Sequence, residues 1–175
     1  LHAEVDAIKL TQSVELAAKE TRTVTFAPDK FARLRLAAPR LWWPHQMGEP
    51  NLYTARFRVE TGGGVSDRAD TTFGIREVTS ELTDKDHRLF RINGKRVLIR
   101  GAAWAPDLLL RWSEKRVDAD LAYVKHMGLN TIRLEGKLDR DEFFDKTDRL
   151  GILVMPGWIC CDAWERWRNW TDETK

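Results

Sequence analysis

Up to about residue 80 the chain alternates apolar with polar positions. The stretches LTQSVELA (residues 10–17), TRTVTFAP (21–28), ARLRLAAP (32–39) and LYTARFRVE (52–60) each repeat with period two. That period predicts half-buried strands. Breaks such as PDK and GGG separate the runs. Short strands at regular spacing predict a β-sandwich, although the runs are too few for a complete one. The stretch LWWPHQMGEPNLY (41–53) interrupts them with two prolines and the pair Trp42 and Trp43. It is expected to be a rigid packing corner.

Beyond residue 80 the period changes. HRLFRINGKRVLIRG (87–101) holds two β-prone runs joined by Asn93 and Gly94, the strongest short signal for a hairpin. A strand RVLIRGA is read at 96–102, followed by a loop. A helix is then predicted from Ser113, a suitable N-cap. Val117, Leu121 and Val124 form its apolar stripe, and Gly128 its C-terminal cap. The strand TIRL follows. A second helix is predicted from a capping box of Asp139 and Glu142, with Phe143, Thr147 and Leu150 inward and Gly151 at its end. The apolar strand ILVMP comes next. Strands alternating with helices predict parallel βαβ units.

One of these strands is not uniformly apolar. A strand between helices is normally buried on both faces, yet GLNTIRLEG (128–136) carries Arg133 and Glu135. Side chains alternate in a strand, so these two share one face, and Ile132 and Leu134 share the other. Charges at the carboxyl end of a parallel strand sit where α/β folds build their sites. An internal ion pair that only fixes the strand is the competing reading, but burying two charges is costly and stabilises little.

The other strand ends have a similar character. The first is followed by Trp104 and Asp107, the third by Trp158, Asp162 and Trp164. Aromatic rings with carboxylates suit a carbohydrate: sugars have apolar ring faces to stack on and hydroxyls to bond. Loop packing and turn capping account for the same residues equally well. The chain has eight tryptophans, a count that cores, interfaces and sugar platforms share. Phosphate-loop, zinc-protease and nucleophile-elbow motifs are absent. Cys160 and Cys161 are adjacent, which disfavours ordinary disulfide geometry, and no His or Cys lies near them at metal spacing.

Composition narrows the field. The chain is 42% hydrophobic and 32% charged with a net charge of +2. Its basic and acidic residues are interspersed, which argues against a nucleic-acid partner. No apolar run approaches the roughly 20 residues of a membrane span. The chain opens on Leu1 rather than Met and shows no leader pattern, so a missing N-terminus is expected.

Together LWWPHQMGEPNLY, FGIREV, FRINGKRVLIRGAAWAPD, LNTIRLEG and VMPGWICCDAW resemble glycoside hydrolase family 2, and within it the exo-β-D-glucosaminidase branch. The resemblance implies a multidomain chain: the C-terminal part of an immunoglobulin-like β-sandwich (1–80), then the first three strands and two helices of a (β/α)8 TIM barrel (81–175). It implies that both catalytic carboxylates lie beyond Lys175. It assigns substrate binding to Arg133 as the family's arginine at the second strand end, and to Glu135 as the acid that receives a sugar ammonium. Trp104, Asp107 and Trp158 would line the rim. The implied partners are an amino-sugar oligosaccharide and the remaining domains of the same chain, with no nucleic acid, membrane, metal or cofactor. A β-mannosidase-like hydrolase and a non-catalytic carbohydrate-binding or interdomain module are the alternatives.

Overall fold

The computed structural model describes residues 1–157 of the 175. The chain divides into two compact units. One comprises Leu1–Leu41 and Asn51–Ile75, the other Trp42–Pro50 and Arg76–Lys175.

The first unit is built on one antiparallel sheet ordered β2-β1-β3-β4, with β1 at His2–Val5, β2 at Ile8–Thr11, β3 at Tyr53–Thr61 and β4 at Gly64–Phe73. Cross-strand register puts Ala3, Leu10, Phe57 and Ala69 on one face. Glu4, Lys9, Arg56 and Asp70 share the other. Ala3, Leu10, Tyr53 and Ala55 are buried. On the polar face Arg56 lies within 3.7 Å of Glu4 and 3.8 Å of Asp70.

Three of the expected strands do not form as read. Of residues 10–17 only Leu10 and Thr11 are in a strand, at the end of β2. Residues 21–28 are neither helix nor strand, and Ala32–Leu34 is a 3-10 turn. Their alternation is real, but the edges of the sheet are taken by Ile8–Thr11 and Gly64–Phe73, and a strand exists only when paired. One edge strand, β4, has no apolar period, and each of its residues is exposed. It forms because Gly62 and Gly63, at φ 59° and 84°, turn the chain back onto β3. Positive φ at both central residues is the hairpin geometry that matches strand twist.

The second unit begins with a small antiparallel sheet of β5 (Val78–Leu82), β6 (Arg88–Ile92) and β7 (Lys95–Val97). Asn93 and Gly94 make the tight turn expected of them, at φ 49° and 76°. The strand read across 96–102 is instead broken. Val97 ends β7, and β8 starts afresh as Gly101–Trp104 in a different sheet. Buried Asn130 holds the break: its side chain donates to Leu98 O at 2.9 Å and accepts from Arg100 N at 3.0 Å.

From β8 the chain runs as predicted through helix α1 (Glu114–His126), β9 (Thr131–Leu134), helix α2 (Asp141–Leu150) and β10 (Leu153–Met155). These three strands form a parallel sheet ordered β10-β9-β8, with β9 in the centre. Ser113 caps α1 through Arg116 N. Val117, Leu121 and Val124 pack with Ile132, Leu134, Phe143 and Ile152 into one core between helices and sheet. Burying each such side chain contributes roughly 1.5–3 kcal/mol. Lys146 of α2 reaches Glu114 at 3.0 Å and Asp118 at 2.6 Å on α1, joining the two helices outside that core. The expected capping box is absent. The N-cap of α2 is Arg140, without a side-chain cap bond. Asp139 turns its carboxylate to Trp104 instead.

The amino edge of this sheet is closed by Trp42–Pro50, which acts as a strap within the second unit. The Trp42 side chain is fully buried, and its indole N–H donates to Asp148 O at 2.7 Å. His45 N donates to Gly151 O at 2.9 Å, and His45 Nε2 lies 2.8 Å from Leu129 O, which makes that nitrogen the donor. Gln46 Nε2 donates to Gly128 O at 2.7 Å. One loop therefore bonds carbonyls just beyond the ends of both helices, and with Asp148 O one in the last turn of α2, where a helix runs out of internal donors. The Arg76 guanidinium covers the Trp42 ring at 4.3 Å. Gly151 sits under the strap at φ 69°, and a Cβ there would lie 2.7 Å from His45 N.

Candidate functional site

The parallel sheet has two unlike faces. Ile132 and Leu134 point into the helix core and are buried. On the opposite face the register sets Gly101, Thr131 and Leu153 in one row and Ala103, Arg133 and Met155 in the next. Glu135 follows Arg133 toward the carboxyl edge. Thr131 is buried at the base, whereas Arg133 is exposed and Glu135 half-buried. The charged pair is thus more open to solvent than the base of the strand.

Arg133 Nη1 lies 3.4 Å from Glu135 Oε2. The two-residue spacing produces this contact directly, because i and i+2 project from the same face. The side chains of the pair are 53% and 36% exposed, so water remains at hand and the contact stabilises the fold little. Small Ala103 on one side and Met155 on the other flank Arg133 in the register. Their signal in the sequence was only their place in predicted strands.

Trp104 lies on the other face. Register pairs it with Leu134, its ring packs 5.0 Å from Phe143, and its Nε1–H donates to Asp139 Oδ2 at 3.0 Å. Asp107 and Trp104 line one cavity of about 170 Å³, between the β8–α1 loop, the β9–α2 loop and the first turns of α1. The five residues selected from the sequence therefore fall into two groups. Arg133 and Glu135 meet on the open face, and Trp104 and Asp107 meet behind it. Trp158 lies outside the described residues.

Asp107 is held closely. Its Oδ1 accepts from Leu109 N at 2.9 Å and from Arg111 Nε at 3.2 Å. Its Oδ2 accepts from Arg111 Nη2 at 3.1 Å and Arg116 Nη1 at 3.2 Å. The Arg111 hydrogen bonds and then the Leu109 amide lower its pKa from 3.8 to about 2. The reciprocal contact raises that of Arg111. Neither arginine was singled out in the sequence, although the four-residue spacing of Asp107 and Arg111 was available as a signal. Among the described residues no group of three or more His, Cys, Asp or Glu side chains could hold a metal. No described helix is long and apolar enough to cross a membrane.

Comparison with known proteins places this geometry in a family. An exo-β-D-glucosaminidase of Streptomyces avermitilis is 47% identical over 161 residues, covering 92% of this chain but only 18% of that protein. A solved structure of the exo-β-D-glucosaminidase CsxA, studied with a glucosamine-configured castanospermine, superposes with a TM-score of 0.83 at 42% identity over 98% of this chain and 21% of its own. A complex of a variant of the Amycolatopsis orientalis exo-chitosanase CsxA with PNP-β-D-glucosamine gives a TM-score of 0.68 at 48% identity, covering 73% of this chain and 15% of that one. Residues 2–76 match the model described as Glycosyl hydrolases family 2, and the chain belongs to that family.

Proposed function

We propose that this chain is part of a retaining exo-β-D-glucosaminidase that removes terminal glucosamine from chitosan oligosaccharides. In this reading the β2-β1-β3-β4 sheet belongs to an immunoglobulin-like β-sandwich, residues 1–80. The β8–α1–β9–α2–β10 run supplies the first three strands and two helices of a (β/α)8 barrel, residues 81–175. The parallel order, the helix between each pair of strands and the polar residues of β9 (Thr131, Arg133) on the face away from the helices all support a barrel start.

The observation that carries the proposal is the Arg133–Glu135 pair, open to solvent at the carboxyl end of the central strand. Glucosamine differs from a neutral sugar by an ammonium group. The Glu135 carboxylate takes that ammonium in a charge-assisted hydrogen bond, about 2.7–2.9 Å long. Arg133 orients the carboxylate from the same face. An N-acetyl group brings no charge and adds bulk, so the site discriminates by what it pairs and by what it excludes. The loop after β8, which carries Asp107, forms the rim in this reading, and Trp104 supports it from the helix side.

Bond cleavage with retention requires two further carboxyls, about 5–5.5 Å apart. One attacks the anomeric carbon to form a glycosyl-enzyme. The other protonates the departing oxygen and then deprotonates the water that releases the sugar. We place both beyond Lys175, and this chemistry calls for no cofactor. A substrate panel on the full-length protein tests the reading. Release of glucosamine from chitosan oligomers should exceed cleavage of mannosides, galactosides and glucuronides. A preference for mannosides would overturn it, and hydrolysis by residues 1–175 alone would overturn the placement of the two carboxyls.

A further inference from the structure

The loop between β8 and α1 adopts a costly conformation. Leu108 and Leu109 are 97% and 74% exposed, and Leu110 is exposed as well. Leu110 also has φ 57°, a region that side chains other than Asn, Asp and Gly seldom enter. Left to itself such a loop would relax that dihedral. What prevents this is concentrated in one residue. The Asp107 carbonyl accepts from Leu110 N at 2.7 Å. Its carboxylate accepts from Leu109 N within the loop, from Arg111 at the far end, and from Arg116 on the first turn of α1.

We propose that Asp107 is a positioning residue that latches the β8–α1 loop to α1, so that the loop stands as a preformed wall at the carboxyl edge beside the strand carrying Arg133 and Glu135. This rests on the glycosidase reading and sharpens it, because Asp107 then serves the sugar through the loop and not by touching it. Its donors are the reason. Both carboxylate oxygens are committed to groups of this loop and of α1, and the side chain is only 13% exposed. Arg116 also lies 3.6 Å from Asp120, which fixes the helix side of the latch. Lys137, Asp139 and Arg140 are the other charged groups lining the same cavity.

The test is a double-mutant cycle in the full-length protein with Asp107→Ala, Arg111→Met and their combination. It is read by steady-state kinetics on a chitosan oligomer and by hydrogen exchange at the Leu109 and Arg111 amides, which lie 2.9 Å and 3.5 Å from Asp107 Oδ1. A latch predicts that each single variant raises KM by about tenfold, a coupling of the size seen between residues in one network. It predicts kcat within about twofold, a double variant no worse than the worse single, and faster exchange at both amides without substrate. Asp107→Asn, which keeps the acceptor for the Leu109 amide, should restore part of the slow exchange. If Arg111→Met leaves KM and exchange unchanged while Asp107→Ala raises KM, the carboxylate touches the sugar and the latch is wrong. Faster exchange with KM unmoved also overturns the role at the site. A protein that ignores glucosaminides yet shows coupled exchange at the two amides overturns the enzymatic reading and keeps the latch.

Discussion

The two edges of the β8-β9-β10 sheet are made by the same strands and helices, yet they are finished in opposite ways. At the amino edge Trp42–Pro50 lies over the ends of both helices. It buries an indole completely and satisfies carbonyls at Gly128, Leu129, Asp148 and Gly151. At the carboxyl edge Arg133 is exposed and Glu135 half-buried, and the β8–α1 loop carries exposed leucines. The difference teaches where each kind of free energy is placed. Burial and neutral hydrogen bonds are concentrated where nothing needs to enter. Charge, a left-handed leucine and exposed surface lie at the edge where the proposed reading puts the ligand. Parallel α/β folds divide stability and function between strand ends in this way.

That division can be broken by substitution. Trp42→Ala has the largest expected effect. It removes a fully buried indole and leaves Asp148 O without that donor, and should cost about 3–5 kcal/mol in denaturant unfolding. Gly151→Ala comes next. A methyl group would meet His45 N at 2.7 Å in a left-handed residue, for an expected loss of about 2 kcal/mol. Arg133→Ala at the other edge should change stability by less than about 1 kcal/mol, since its ion pair is exposed. A large loss from Arg133→Ala, or a small one from Trp42→Ala, would erase the comparison.

Acid acts through a single carboxyl at the carboxyl edge and has a definite sign. The carboxyl of Asp107 titrates at about 2 in the folded chain, against 3.8 ordinarily. The unfolded chain therefore takes up that proton first as pH falls. The stability the group contributes is complete above pH 4 and is lost on descending from there through about 2. Urea midpoints between pH 2 and 5 should fall less steeply for Asp107→Asn than for the unchanged protein.

How much of this was legible in the sequence depends on whether the signal was local. The helices α1 and α2, the strands β9 and β10 and the Asn93–Gly94 turn were readable because period, cap and turn chemistry lie within a few residues. So was the shared face of Arg133 and Glu135, which follows from alternation alone. The strand β4 was not, since it has no apolar period and exists through its pairing with β3. The false strands at 21–28 and 32–39 show the converse, an alternation without a partner. The docking of the strap was not legible either. The corner was recognised, but the side-chain hydrogen bonds that dock it at the helix ends join residues 82 to 106 positions apart. Asp139 read as a helix cap because its spacing to Glu142 fits, and it was drawn instead to the indole of Trp104. That indole faces the helices because its register partner is Leu134, a fact that appears only once the strands are paired.

The central claim is that the carboxyl edge recognises an amine through Glu135. The most direct measurement is kcat/KM for a β-glucosaminide and for the matching β-glucoside in the full-length protein, before and after Glu135→Gln. Losing a charge-assisted hydrogen bond should lower the glucosaminide value by roughly 10- to 100-fold and leave the glucoside value nearly unchanged. An amino-sugar preference that survives the substitution intact would contradict the account.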